Sequence, residues 1–371
     1  MDRIKQSRVI LSCVSIRLSL LLLIVALAML NPVNARAEDG PTVVKTSLHI
    51  NVEQRSVYWP PGATKAQYTT ACWVPRAQFR VRGPLTAGSQ LSVDFTKPDG
   101  SAWLHFDLAT SEIAADHTDS FETPTGGSLD KDEKKFILAV GTFGFKINYK
   151  NELEGKHAVL FSGKFKVNKV SESRGIASQK NMYNYYVNHD WALPIGYVWF
   201  DTEDNDKTPP LRVSMWFRNE VTPNQLDAHL FYQGKEIKST QDTGGRVETE
   251  VEINTASNEK TDPKWSQWYF GWDTVRKVTA DNYEHTYFLD KNPGEYEVKV
   301  LRNGKLSRDV KFTVGADGSI VDNGIAAANN IITKRVVVPV KVIGTTDGTW
   351  QQDAWKTDAF YGNPLKDFTA P

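Results

Sequence analysis

The sequence has few cysteines, and this scarcity rules out one class of small exported protein. Its 371 residues include two cysteines, Cys13 and Cys72. We expect the segment that holds Cys13 to be removed, so the remaining chain has no second thiol for an intramolecular disulfide. A disulfide-stapled scaffold and a zinc site of four thiolates are therefore excluded. Cys72 is expected to be a buried, inert thiol.

The chain also lacks an excess of either charge. It has 44 Lys and Arg residues against 44 Asp and Glu residues, and 39 against 43 once residues 1–37 are left out. Nucleic-acid binding requires a clustered basic face, and recruitment to an anionic membrane requires a polybasic segment. We therefore expect neither nucleic acid nor a membrane surface to be the partner.

Catalytic motifs are missing as well. The seven histidines are scattered and form neither an H-x-x-x-H nor an H-E-x-x-H pair, and no nucleophile elbow or phosphate loop occurs. His105 and Asp107 share one side of a presumed strand, a coincidence to be expected among so many acids. We expect no enzymatic activity and no cofactor. A sandwich-fold hydrolase stays open as an alternative, since paired carboxylates can come from distant positions.

Long hydrophobic runs are confined to the N-terminus. Basic residues precede an apolar run from Leu18 to Leu30, and the small-residue motif Ala35-Arg36-Ala37 follows it. This order predicts a signal peptide over residues 1–37, cleaved near Ala37. Because the run is shorter than the roughly 20 residues that span a bilayer, we expect a secreted, periplasmic or cell-envelope protein without a transmembrane segment.

What the remaining chain does have is alternation of apolar and polar residues, which predicts β-strands. Residues 77–100 read as strand, turn and strand, and residues 213–234 repeat this pattern. Residues 141–167 form a second such block, which residues 294–314 repeat with an Asn-Gly pair at the hairpin turn. Because the two blocks recur in the same order, we expect a duplicated module.

These strands, with turns at short intervals and no long helical pattern, predict an all-β fold of two tandem antiparallel β-sandwich modules. In its strand pattern each copy resembles an Ig-like or fibronectin-like module, without the Cys…Trp…Cys spacing of a true immunoglobulin domain. The expected order is module 1 at 41–169, a linker or junction at 170–190, module 2 at 191–315 and a C-terminal extension at 316–371.

The C-terminal extension contains a further alternating segment, residues 335–343. Val336, Val338 and Val340 share one side, whereas Pro339 lies on the other and has no N–H group to donate. Proline of this kind indicates the edge of a sheet or a bulge. The strand is expected either to complete module 2 or to pair with a neighbouring chain by β-augmentation.

Aromatic residues provide the main candidate binding site. Trp265, Trp268, Tyr269 and Trp272 lie within eight positions, after a polar stretch with the composition of a loop. Exposed rings of this kind stack on sugars, whose C–H faces complement the ring quadrupole. The alternative is that they fill the core or the junction between modules, because aromatic residues occupy both parities of the strand.

An acidic turn is the second candidate. Asp201, Glu203, Asp204 and Asp206 offer the oxygen ligands that calcium prefers. The run lacks the glycine and the distal glutamate of an EF-hand loop. A solvated turn between strands is therefore the expected alternative to a calcium site.

Together these features predict an exported, non-catalytic binding or structural protein. Duplication without a catalytic motif and the strand at 335–343 favour protein–protein contact or self-association. The alternative is a carbohydrate-binding protein that recognises a polysaccharide through the Trp265–Trp272 cluster.

Overall fold

Strands dominate the computed structural model of the chain, which is all-β as the alternation predicts. The predicted signal peptide lies outside the residues that the structure describes. Those residues are 40–57, 70–125, 135–171, 182–202, 209–253, 263–277 and 287–371.

The described strands are mostly long and are joined by short turns. They are β1 Thr42–Val57, β2 Thr70–Arg82, β3 Ser89–Thr96, β4 Ala102–Leu108, β5 Thr118–Glu122, β6 Gly141–Asn151, β7 Lys156–Ser171, β8 Tyr183–Val187, β9 Ile195–Phe200, β10 Pro210–Arg218, β11 Leu226–Tyr232, β12 Lys235–Ser239, β13 Arg246–Ile253, β14 Trp265–Val275, β15 Tyr287–Phe288, β16 Gly294–Arg302, β17 Lys305–Val314 and β18 Val336–Val342. The helical pieces are α1 Ile325–Ala328, α2 Ala359–Gly362 and 3₁₀ turns at Asp190–Ala192, Pro223–Gln225, Leu289–Lys291 and Ala354–Lys356.

Within the described ranges these strands form three sheets that curl into half-barrels. The first has the order β1-β2-β5, and the second has the order β4-β3-β6-β7-β8. The third is longer, with the order β12-β11-β16-β17-β18-β9-β10-β14-β13 and with β15 beside β14. Every described pair of strands is antiparallel except β14 and β15.

The predicted alternation is visible in the burial of individual strands. In β6, Phe143 and Phe145 are buried while Thr142 is exposed, so one side of the strand contacts the core. The predicted Asn-Gly hairpin is also confirmed. Asn303 and Gly304 connect β16 to β17 with φ of 52° and 73°, the positive values that a type I′ turn requires.

Residues Pro41–Pro371 form one compact unit with two main hydrophobic clusters. The first cluster joins the strands of residues 42–187 and includes Cys72, which is buried as predicted. The second cluster joins β9, β10, β11, β14, β16, β17 and β18. The C-terminal segment belongs to the first cluster, through Ala354, Ala359, Phe360, Tyr361, Leu365 and Phe368. The last residues of the chain therefore complete the core of its first strands.

The predicted tail strand exists as β18, but it does not lie at a sheet edge. Its first half pairs with β9, from Val336 opposite Val198 to Pro339 opposite Ile195. Its second half pairs with β17, with Val340 opposite Val310. The missing N–H of Pro339 thus falls where the strand changes partner, which is why an inner position tolerates it. The strand pairs within the chain.

A buried ion network holds the segment after β18 against the long sheet. Asp347 is 1% exposed and lies 2.5 Å from Arg308 Nη1 and 3.3 Å from Arg302 Nη1. The backbone N–H of Arg218 also donates to Asp347, at 3.0 Å. One carboxylate therefore forms ion pairs with two buried guanidinium groups, from β16 and β17, and fixes the C-terminal segment beside β10.

Asp190 makes a second such attachment. Its Oδ1 accepts from Trp265 Nε1 at 3.1 Å and lies 3.2 Å from Arg218 Nε, and its Oδ2 accepts from the backbone N–H of Gln351 at 2.8 Å. This carboxylate joins the 3₁₀ turn after β8, the strand β14 and the C-terminal segment. None of the helices in the described ranges has the length and apolarity to cross a membrane.

Candidate binding cleft

A cleft of about 410 Å³ lies between β1 and the part of the long sheet that contains β9, β10, β14 and β13. Trp216 of β10 and Gln267 of β14 are among the residues that line it. Alternation explains why β10 contributes a tryptophan here. Met215 and Phe217 are in the second core, so Trp216 projects from the opposite side of the strand. We call this space the inter-sheet cleft.

An irregularity of β1 forms the other side of the cleft. The pairing of β1 with β2 shifts register between Val44 and His49, and residues 44–49 all line the cleft. Bulges of this kind redirect side chains away from the regular alternation. Thr46, within the bulge, is exposed, whereas Leu48 is buried in the first core. The bulge therefore supplies both the rim and part of the wall.

Two histidines, His49 and His189, meet in the cleft. Their ring centroids are 6.3 Å apart in an edge-to-face arrangement. His189 is fully buried, and neither its Nδ1 nor its Nε2 has a hydrogen-bond partner among the described residues. The same holds for His49 Nδ1. Burial lowers the pKa of His49, and burial together with His49 holds the pKa of His189 well below its ordinary value. Both imidazoles are thus neutral near pH 7.

Aromatic rings surround His189. The centroid of its ring lies 5.6 Å from Trp265, 5.7 Å from Tyr361 and 6.2 Å from Trp191. None of these contacts replaces a hydrogen bond, and a neutral imidazole has one N–H to donate and one lone pair to accept with. The cleft therefore presents an unpaired donor and an unpaired acceptor in apolar surroundings.

The C-terminal segment forms one end of the cleft through Phe360 and Tyr361. The Tyr361 hydroxyl accepts a hydrogen bond of 3.0 Å from the backbone N–H of Ile50. Burial raises the pKa of Tyr361, so the hydroxyl stays protonated. The backbone of Phe360 and Tyr361 has φ of 40° and 57°, values that bulky residues rarely adopt. The surrounding contacts therefore hold this end of the cleft in a strained conformation.

Charged side chains lie along the lining. Glu250 of β13 forms an ion pair with Arg335, whose guanidinium stacks 3.9 Å over the Trp199 ring. Glu250 Oε1 makes this pair, and its Oε2 is buried without a hydrogen-bond partner among the described residues. Lys45 and Arg80 add two further cations, and Lys45 Nζ donates to the Asn329 carbonyl at 2.5 Å. The lining thus carries three cations and one anion.

The predicted aromatic cluster is largely inside the protein, so its tryptophans are not available to stack on a sugar. Trp265, Trp268 and Trp272 are each no more than 2% exposed. Their indole N–H groups donate to Asp190, Ser266 and the Ala228 carbonyl. Both sides of β14 are covered, so aromatic residues of both parities are buried, and the alternative of core filling applies to these three side chains.

Tyr269 is the member of the predicted cluster that reaches the surface. It is half-buried, its ring contacts Trp199, and its hydroxyl hydrogen-bonds to Glu248. Burial and the nearby Glu248 carboxylate raise the pKa of Tyr269 to about 12. Its position beside Trp199 places it on the same side of the long sheet as the cleft.

The predicted acidic turn is described only at its start. Asp201 lies 3.4 Å from Arg212 Nε and so balances a guanidinium that is itself buried. Glu203, Asp204 and Asp206 lie outside the described residues. In the described part of the chain, no group of three or more His, Cys, Asp and Glu side chains is arranged to hold a metal ion.

His105 and Asp107 do lie together on β4, with Asp94 of β3 beside them. His105 Nδ1 is 2.6 Å from Asp94 and its Nε2 is 3.2 Å from Asp107. Hydrogen bonding to Asp94 raises the pKa of His105, opposing the effect of its partial burial. All three side chains are exposed, and Asp94 and His105 line a separate surface depression of about 540 Å³, apart from the inter-sheet cleft.

Sequence reasoning does not find the cleft histidines. His49 and His189 are 140 positions apart, and no motif connects them. The register shift that turns His49 inward follows from pairing with β2, and the burial of His189 follows from the docking of the C-terminal segment. The available signal is weak: His189 stands next to Asp190 and Trp191, at the start of a turn rather than within an alternating strand.

No protein-family model matches the chain, and no curated protein matches it.

Proposed function

We propose that the protein is an exported, non-catalytic binding protein whose ligand occupies the inter-sheet cleft. The observation that carries the proposal is the side chain of His189, fully buried with neither ring nitrogen paired among the described residues. Buried polar groups in native proteins are nearly always hydrogen-bonded, and each unpaired one costs about 1–3 kcal/mol. A ligand that pairs with this imidazole removes that cost when it binds.

The size and lining of the cleft support the same proposal. Its volume of about 410 Å³ lies within the range of roughly 300–1,000 Å³ that small-molecule sites occupy. Apolar and aromatic residues make up about half of its lining, and the rest are polar or charged. The positive φ at Phe360 and Tyr361 costs on the order of 1–3 kcal/mol at each residue, and strain of this kind is concentrated at functional sites.

The proposal agrees with the export and the non-catalytic binding that the sequence suggests. It places the binding site in the inter-sheet cleft rather than at the tail strand or the Trp265–Trp272 cluster. The argument for contact with another protein through the tail strand is weakened, because β18 pairs with β9 and β17 in its own chain. A sugar cannot stack on the tryptophans of the Trp265–Trp272 cluster, because these side chains are buried. A small ligand in the cleft needs neither feature.

We also infer that the two halves arose by duplication of one sandwich-like module. The order β4-β3-β6-β7-β8 in one half corresponds to β12-β11-β16-β17-β18 in the other, strand for strand. The pairing of β2 with β1 and β5 corresponds to that of β10 with β9 and β14. Gly141 and Gly294, which begin equivalent strands, have φ of 134° and 136°. These correspondences support descent from one ancestral module.

A ligand screen with a blocked cleft tests the proposed function. The chain from residue 38 onward is screened by thermal shift and calorimetry against monosaccharides, disaccharides, amino acids and aromatic carboxylates. At 100 times its Kd, a ligand stabilises the folded state by about 2.7 kcal/mol, which raises Tm by several degrees. Thr46→Trp places an indole at the rim, at an exposed residue whose side chain makes no described hydrogen bond, and should weaken binding at least tenfold.

The matched control is Thr142→Trp, which changes an exposed threonine of β6 that does not line the cleft. It should leave the ligand's affinity unchanged. Equal affinity in wild type and Thr46→Trp, or no ligand of any class in the screen, would contradict the proposal.

A further inference from the structure

Resting on the proposed function, we propose that the ligand of the inter-sheet cleft is an acidic sugar, a pyranose that carries a carboxylate. Three properties of the lining lead to this class of ligand: the polar groups that lack partners, the flat rings around them and the excess of positive charge.

The unpaired polar groups match hydroxyls. The neutral imidazole of His189 offers one donor and one acceptor, and Glu250 Oε2 offers an acceptor, all buried without partners among the described residues. A hydroxyl donates one hydrogen bond and accepts others, so a ring with several hydroxyls offers the kinds of partner that both side chains lack. Gln267, whose amide donates to Ser214 Oγ at 2.9 Å, lies on the same lining.

The flat rings match the body of a sugar. Trp191, Tyr197 and Trp216 line the cleft together with the imidazoles. The negative face of an aromatic ring attracts the weakly positive C–H groups of a pyranose. Polar planar side chains between aromatic walls can therefore hold a ring that has hydroxyls at its edge and C–H groups on its faces.

The charges favour an anion. Glu250 is already neutralised by Arg335, and the two histidines are neutral. The guanidinium of Arg80 therefore gives this part of the lining a positive charge. Arg80 is exposed, and no described carboxylate forms an ion pair with it. A guanidinium binds a carboxylate through two parallel hydrogen bonds, so Arg80 is the residue that we assign to the acidic group.

Calorimetry with matched pairs of sugars tests this assignment. The probes are glucuronate with glucose, galacturonate with galactose, and mannuronate with mannose, each as the methyl glycoside and as the disaccharide. Each pair differs only at C6, so the difference in affinity isolates the carboxylate. We expect at least one uronate to bind wild type at least tenfold more tightly than its neutral partner, with the preference falling as salt is raised.

Arg80→Gln should remove this preference, so that a uronate and its neutral partner bind the variant with similar affinity. Arg82→Gln is the matched control: Arg82 is exposed two residues further along β2, donates to the Ala115 carbonyl and does not line the cleft. It should retain the full preference. The same circular dichroism spectrum for both variants shows that each is folded.

The other outcomes overturn the inference and separate it from the proposed function. If a neutral sugar binds as tightly as its uronate, or if Arg80→Gln keeps the preference, the ligand is not selected for its acid. If no sugar binds but an aromatic carboxylate or an amino acid does so in a way that Thr46→Trp abolishes, the cleft is a binding site for another class. If nothing binds, both proposals fail.

Discussion

His189 lines the cleft as a fully buried imidazole that has no hydrogen-bond partner among the described residues. A phenylalanine would fill the same space among Trp191, Trp265 and Tyr361 without unpaired polar atoms. Replacing an unsatisfied buried polar group by an apolar one of similar shape is close to neutral or stabilising. Since packing alone gives no reason for an imidazole here, we attribute it to ligand binding.

The protein should become less stable as the pH is lowered, and part of this loss should depend on His189. The pKa of His189 in the folded state lies well below its ordinary value of 6.5. As pH falls below about 6.5, the unfolded chain takes up a proton on this group and the folded chain does not. The free energy of unfolding should therefore decrease, by up to about 1.4 kcal/mol per pH unit for this one group.

Urea unfolding of wild type and His189→Phe between pH 7 and pH 5 measures this dependence. The variant should be at least as stable at pH 7 and should lose less stability on acidification, because the proton uptake of the unfolded state at this position is gone. Carboxylates with lowered pKa, such as Asp317, contribute equally to both proteins. Identical pH dependence in the two proteins would show that His189 titrates normally in the folded state.

At the scale of elements, β18 shows how a proline can occupy an inner strand. The strand pairs with β9 up to Pro339 and with β17 from Val340 onward, so it connects two parts of the long sheet. The sequence correctly predicts the strand and its missing donor. It cannot predict the change of partner, because that depends on strands more than 100 residues away in β9 and about 30 residues away in β17.

The segment after β18 should depend on Asp347 for its attachment. Asp347→Ala leaves Arg302 and Arg308 buried without their shared carboxylate. Removing one partner from a buried ion pair costs about 3–5 kcal/mol, and urea unfolding should show a loss of this size. Because the segment carries Phe360 and Tyr361 into the cleft, ligand affinity should fall as well.

Asp353→Ala provides the comparison within the same segment. Asp353 is exposed and pairs with Lys356 at 2.6 Å, and an exposed pair contributes about 0–1 kcal/mol. A loss for Asp347→Ala no larger than that for Asp353→Ala would mean that the buried network does not hold the segment.

At the scale of the whole molecule, the first hydrophobic cluster is built from both ends of the described chain. Strands β1 to β8 supply most of it, and residues 191–197, 325–337 and 354–368 supply much of the rest. The cleft lies where these parts meet the long sheet. We therefore expect residues 41–371 to unfold as one cooperative unit rather than as two independent modules.

Differential scanning calorimetry tests this expectation. Phe145→Ala opens a cavity in the first cluster and Trp268→Ala opens one in the second, each at a cost of about 3–5 kcal/mol. Both variants should lower the Tm of one shared transition. Two transitions in wild type, with each variant shifting only one of them, would show instead that the halves are thermodynamically separate.

How much of the structure can be predicted from the sequence depends on how far apart along the chain the interacting residues lie. Alternation in β2, β6, β10 and β16 is local, so these strands and the Asn303-Gly304 turn could be predicted. The burial of Trp268 and Trp272 depends on what covers both sides of β14, which no local pattern records. The cleft is harder still, because its lining comes from residues 44–49, 189–197 and 332–361.

The contact between Tyr361 and the N–H of Ile50 joins residues that are 311 positions apart. During synthesis the ribosome therefore completes β1, which forms one wall of the cleft, long before it adds Tyr361, which lies at the end of the cleft. Throughout that interval the nascent chain has His49 but no finished site, and it exposes the apolar surface that Phe360 and Tyr361 later cover. The proposed ligand should therefore bind complete chains and not chains that end before Phe360.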